Sequence, residues 1–177
     1  MGVTITDKSD AFLRRIDEAV DGPGGALAAT VEFFASKSKE SMPQGGSFGI
    51  RNDTPTANQP ASPPGTPPSP KDGNLRNSIT FAKVGKYRWA FGTNSKYGRI
   101  HELGGVINHP GGTAYIMIDG QFQPVRNENA KPWMRRTKPH PINMPPRPYL
   151  RPALFNNKKQ GQAVFNARMR QKMGGGA

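Results

Sequence analysis

GNLRNSITFAKVGKYRWAFGT (residues 73–93) decides the fold class of this 177-residue chain. The stretch opens as a short turn of helix and continues as two strands joined around Gly85-Lys86. Ile79, Phe81 and Lys83 alternate with Thr80, Ala82 and Val84, and the return run sets Tyr87, Trp89 and Phe91 on one face. Alternation of period two, in β-branched and aromatic residues around a glycine-containing turn, is the pattern of a half-buried hairpin.

Upstream, the spacing changes to helical. Ser9 is placed to cap a helix over about Asp10 to Val20, with Phe12, Ile16, Ala19 and Val20 on one face. Asp21-Gly22-Pro23-Gly24-Gly25 interrupts it, and a second helix over about Ala26 to Ser41 lines up Leu27, Val31, Phe34 and Ala35. Neither helix can hide its stripe alone. Downstream, Tyr97 to Leu103 reads as a short helix ending at Gly104, a natural C-cap. Thr113 to Ile118 and Phe122 to Val125 read as a hairpin around Asp119-Gly120, and a short strand falls near Ile142. Pro152 suits the first turn of a final helix whose Leu154, Phe155, Val164 and Phe165 can face a core.

These elements predict an α+β fold, a small mainly antiparallel sheet packed against N-terminal helices and a C-terminal helix, with long Pro/Gly-rich loops. One domain spans 1–177: a helical part (1–42), a Pro-rich loop or arm (43–72), a sheet, extended loop and last helix (73–172), and a disordered tail (173–177). No internal repeat is visible. Composition agrees, with only 34% apolar residues beside 21 glycines and 18 prolines. Such a balance suits a small core with irregular appendages. Eight prolines lie between Pro43 and Pro70, stiffening that segment toward polyproline II, either as a binding arm or as a plain linker.

The absence of cysteine excludes disulfides and cysteine metal sites. MGVTITDKSD at the start carries charges where a signal peptide needs an apolar run, and ALAATVEFFA is short and broken by Glu32. The expectation is a soluble, unexported protein with no membrane contact. The net charge of +13 is uneven. Residues 1–42 carry −2 and residues 43–130 carry +4, while 131–177 hold eleven bases and no acid. A one-signed tail attracts polyanions, either nucleic acid or an acidic protein face, or else serves to solubilise. Trp133, Tyr149 and Phe155 lie among Lys131, Arg135, Arg136, Lys138, Arg147 and Arg151. Arginine mixed with aromatics grips phosphates and stacks on bases, and the same residues are enriched at protein interfaces. Arg135, Arg136, Arg147, Arg151, Lys158 and Lys159 are the candidates to face a partner or DNA.

Catalytic chemistry has no positive signal. His101-Glu102 begins like a zinc-protease helix, but position 105 is Gly where the second imidazole belongs. His109 and His140 stand in Pro/Gly-rich settings, and the spacing of Glu102, Asp119 and Glu128 pairs none of them. GGSFG and GPGG lack the lysine and the strand–helix context of a phosphate loop. No catalytic, cofactor or metal residue is assigned, and no cofactor is expected.

Three segments in order carry a resemblance: SPPGTPPSPKDGNLRNSI (62–79), YGRIHELGG (97–105) and PPRPYLRPAL (145–154). Together they resemble the tail-completion or neck proteins of tailed bacteriophages, including the Mu-type virion morphogenesis proteins. The resemblance covers about residues 26–160. It implies a non-enzymatic structural subunit that joins heads to tails, in a ring of identical copies (six-fold in preference to twelve-fold). The partners it implies are the portal or head-completion adaptor and the tail terminator or tube proteins, with non-specific contact to DNA in the channel. Its place would be the virion neck, after assembly in the host cytoplasm. Carried over by position, Leu75, Ile79, Tyr97, Leu103, Pro148, Tyr149 and Leu150 are core or turn-anchoring residues. Gly73, Gly104 and Gly105 are turns, and His101 and Glu102 are local braces. The chain departs from the family in the GPGG break and in the extension over 106–143, which with 43–72 can supply arms that order only on assembly. The alternative is a general nucleic-acid-binding basic protein.

Overall fold

Residues 9–42, 62–69 and 73–174 are described by a computed structural model of the chain. Helices α1 (Ser9–Asp21) and α2 (Ala26–Ser41) follow the predicted bounds closely, and the break between them falls on Gly22 to Gly25. The Ser9 side chain, expected as a cap, lies outside the described part. Along α2 the buried residues are Ala26, Ala28, Phe34, Ala35 and Ser38, mostly small, so other elements can approach closely. Accordingly α2 is the central beam, packed by α1, by both strands of the first hairpin and by both C-terminal helices.

After α3 (Asn74–Asn77), strands β1 (Ile79–Gly85) and β2 (Arg88–Thr93) form the predicted antiparallel hairpin, with Phe81 opposite Phe91 and Lys83 opposite Trp89. Its buried face meets α2. Phe91 stacks on Phe34 at 6.1 Å between ring centres. Ala35, Met42, Ile79 and Tyr149 make the core, with Leu75, Phe81, Phe91 and Leu150 packed around it. Each large apolar side chain in such a core is worth roughly 2 kcal/mol of burial.

Asp21 ties α1 to this hairpin. An acid at a helix C-terminus opposes the dipole, yet Asp21 is buried, because Tyr87 N and Trp89 Nε1 donate to its carboxylate at 2.9 and 2.8 Å and Lys83 Nζ lies 2.8 Å away. The Lys83 hydrogen bond foremost, then the Tyr87 amide, holds its pKa down from 3.8 to about 2. A depressed carboxyl binds its proton less readily folded than unfolded, so its stabilisation is whole above about pH 4 and fades as pH falls toward 2. Asp21→Asn should therefore be less stable than wild type at neutral pH, with the gap closing between pH 4 and 2. Denaturant midpoints across that range measure it, and an equal gap at pH 2 and pH 7 would contradict the assignment.

Helix α4 (Gly98–Leu103) leads into β3 (Gly105–His109), which pairs antiparallel with β7 (His140–Met144). Strand β4 (Ala114–Ile118) lies between β5 (Gln121–Pro124) and β6 (Arg135–Arg136). The β4–β5 turn is the predicted Asp119-Gly120, with φ of +50° and +75°, a pair that suits a tight right-twisted hairpin. The expected single sheet is thus three small antiparallel sheets. Residues 106–143, expected as an extended loop carrying only the Asp119-Gly120 hairpin and a short strand near Ile142, form a β module whose strands pack mainly on one another. The long-range pairing of Ile107 with Ile142 supplies the order that local sequence did not announce.

The C-terminal helix is two helices, α5 (Leu150–Asn156) and α6 (Lys158–Gly174), split at Asn157. Gly161 of α6 lies so close to Phe34 of α2 that a β-carbon there would overlap the ring. Arg168 Nε donates to Gly24 O and Arg15 to Met173 O, each at 2.8 Å, fastening α6 along the N-terminal helices. Of the tail expected over 173–177, residues 173 and 174 are helical, and 175–177 lie outside the described residues. Val164 and Phe165 are half-buried as expected, whereas Leu154 and Phe155 are exposed because α5 turns that side away from α2. The fold is α+β. Among the described residues no helix is long and apolar enough to cross a membrane.

Candidate functional site

The three sequence segments meet at one junction. Helix α4 stops at Gly104, whose φ of +70° lets its N–H reach Ile100 O at 2.8 Å. A β-carbon on Gly104 would stand 2.9 Å from Met144 O and Pro146 N, so the chain leaving β7 runs tight against this stop. Arg147 N then donates to His101 O at 2.6 Å.

Glu102 joins the junction to α5. Its Oε2 accepts from Tyr149 N and Leu150 N at 2.8 and 3.0 Å, and its Oε1 from Arg151 N at 3.0 Å. The first amides of a helix have no intrahelical acceptor, and Tyr149 at the N-cap offers none. A carboxylate from another helix supplies it, with its charge at the positive end of the dipole. Tyr149 is fully buried. Its Oη donates to Gly98 O at 3.3 Å, and its carbonyl accepts from Ser38 Oγ of α2 at 2.9 Å. Burial, then the nearby Glu102, pushes the phenol up to about 12.

The Pro-rich segment is fastened to the same place. Arg147 Nε donates to Ser62 O at 2.6 Å, Gly65 N donates to Pro146 O at 2.8 Å, and Pro68 is buried. Residues 62–69 are therefore docked to the body and not a free arm, while 43–61 and 70–72 lie outside the described residues. Arg147, expected to face a partner or DNA, is only 8% exposed and spends its guanidinium on this contact. Burial, then Arg147, lowers the His101 pKa, favouring a neutral ring.

Most motif residues fall where the resemblance puts them. Ile79 is core, Leu75 and Leu150 pack against it, and Pro148 is half-buried. Gly73 and Gly105 take φ of +70° and +152°. Tyr97 and Leu103 differ, being 68% and 45% exposed. Tyr97 anchors through its backbone: its carbonyl accepts from His101 N at 3.1 Å and its N–H donates to Ser95 Oγ at 3.4 Å.

The basic candidates divide into two groups. Arg135 and Arg136 are exposed on the β module, with Arg136 Nη1 donating to Gly112 O at 2.9 Å. Arg151, Lys158 and Lys159 are exposed on α5 and α6. Of the aromatic residues among them, Tyr149 is withdrawn into the core, while Trp133 and Phe155 are largely exposed.

Both Glu102 oxygens are occupied, Glu128 lies 3.6 Å from Arg126, and Asp119 sits in a turn. His109 and His140 face each other across β3 and β7 with rings stacked at 5.1 Å. Gly111 N donates to His109 Nδ1, and His140 Nδ1 meets Lys138 O, so both rings already serve the local turns. Among the described residues no three His, Cys, Asp or Glu form a metal-holding group.

Sequence reasoning missed Asp21, Ser38 and Gly161. Asp21 read as part of a helix breaker and Ser38 as one polar position in an amphipathic helix, and neither carries a local sign of its distant partner. No protein-family model, no curated protein and no solved structure matches this chain.

Proposed function

We propose that the chain is a structural subunit of the phage neck, a tail-completion or head–tail joining protein that acts as one copy in a ring. The observation that carries the reading is the junction: the segments whose order resembles that family, 62–79, 97–105 and 145–154, contact one another through Glu102, Arg147 and Tyr149. Residues with a shared structural duty are expected to recur as a set, and this duty needs no substrate. An α2-centred body, a β module whose strands pack mainly on one another and exposed cations suit a subunit that must fix an angle and also reach neighbours. Its neighbours would be the portal or head-completion adaptor and the tail terminator or tube.

Arg151, Lys158 and Lys159 are the surface cations to test, because Arg147 is structural. Reversing the three to Glu should leave the fold intact by circular dichroism and impair joining of heads to tails, read as infectious-particle yield. A normal yield would contradict the reading.

The second reading, a general nucleic-acid binder, is favoured by α6, whose charged residues are all basic. It requires tight duplex binding by the free chain, with affinity falling steeply as salt rises. The neck reading expects weak binding from the isolated chain.

A further inference from the structure

Resting on the ring reading, we propose that the β4–β5 hairpin of one copy docks in a groove between α4 and α5 of the next. The groove has a volume of about 360 Å³ and is mainly apolar, formed by Gly98 and Leu103 of α4, Gly92 and Thr93 of β2, and Leu150 of α5, with Tyr149 and the Glu102 carboxylate, already engaged by the α5 amides, also at its wall. Outer β2 has no strand partner on that side among the described residues. Leu103 is exposed at its wall, and Arg99 and Arg151 line it with no ion pair among the described residues.

The hairpin offers the complement. Met117, Ile118 and Phe122 are each about half exposed. Asp119 at its tip has no ion pair among the described residues. An apolar tip ending in one acid thus matches an apolar groove flanked by two arginines. Exposed apolar surface of this kind marks an interaction site. Two different patches on one chain form a head-to-tail contact, which closes into a ring when the rotation permits. A second copy is the occupant because this chain carries both halves.

The absence of cysteine makes the test direct. Full-length Leu103→Cys and Phe122→Cys chains are mixed and oxidised, so only a contact between copies can join them. Both positions are exposed, so the fold is expected to tolerate the changes. The mixed disulfide should exceed that of a Val84→Cys and Leu103→Cys control by about tenfold, as contact raises local concentration. Asp119→Arg should weaken the cross-link, and Arg99→Asp with Arg151→Asp should restore it. Rings that form while the Leu103–Phe122 pair cross-links no better than the control overturn this interface and leave the neck reading standing. Chains that stay monomeric and do not cross-link overturn both.

Discussion

Tyr149→Ala should destabilise the fold by about 4 kcal/mol, because truncating a buried aromatic costs both burial and the cavity left behind. Tyr149 has no exposed surface and belongs to the four-residue core with Ala35, Met42 and Ile79. For a chain of this size the loss corresponds to a fall in Tm of roughly 12 °C. Tyr149→Phe separates the ring from the hydroxyl. It keeps the packing and gives up only the 3.3 Å hydrogen bond to Gly98 O, which is worth about 1 kcal/mol. Thermal unfolding of both variants checks the order. A Phe variant as unstable as the Ala variant would show that the hydroxyl, and not the packed ring, holds the site.

Glu102→Ala removes the acceptor for three amides at the start of α5 and should cost about 3 kcal/mol, as buried donors are left without partners. Glu102→Gln retains one carbonyl acceptor and loses the charge facing the helix dipole, so it should fall between wild type and Ala. The combined Glu102→Ala and Tyr149→Ala chain should be less damaged than the sum of the two, since both act on the same first turn. Strict additivity would mean that the cap and the core ring act independently. Denaturant midpoints with an unchanged m-value would place these effects on stability.

The reach of the sequence varied with the range of the interaction. The two N-terminal helices, the β1–β2 hairpin and the Asp119-Gly120 turn were legible because their signals lie within a few residues. Pairing of β3 with β7 was not, because Gly105–His109 lacks alternation and its partner strand carries Pro141. His101 and Glu102 were expected to be local braces, but Glu102 acts on amides 47 to 49 residues away and the buried His101 Nδ1 has no hydrogen-bond partner among the described residues. Arg147 looked like its basic neighbours in composition. Only the carbonyl of Ser62, 85 residues upstream, distinguishes it.

That distinction bears on function. A basic C-terminal part described by net charge alone suggests a uniform cationic surface. The structure gives a buried arginine that locks the Pro-rich segment, and separate exposed cations on α5, α6 and the β module. Charge changes at the exposed positions should therefore alter association, whereas a change at Arg147 should alter folding.

The assembly state of the unmodified chain tests the proposed ring most directly. Native mass measurement across a rising concentration series should show 19.3 kDa monomers giving way to one discrete closed species, six copies in preference to twelve. A single 19.3 kDa mass at every concentration would contradict it.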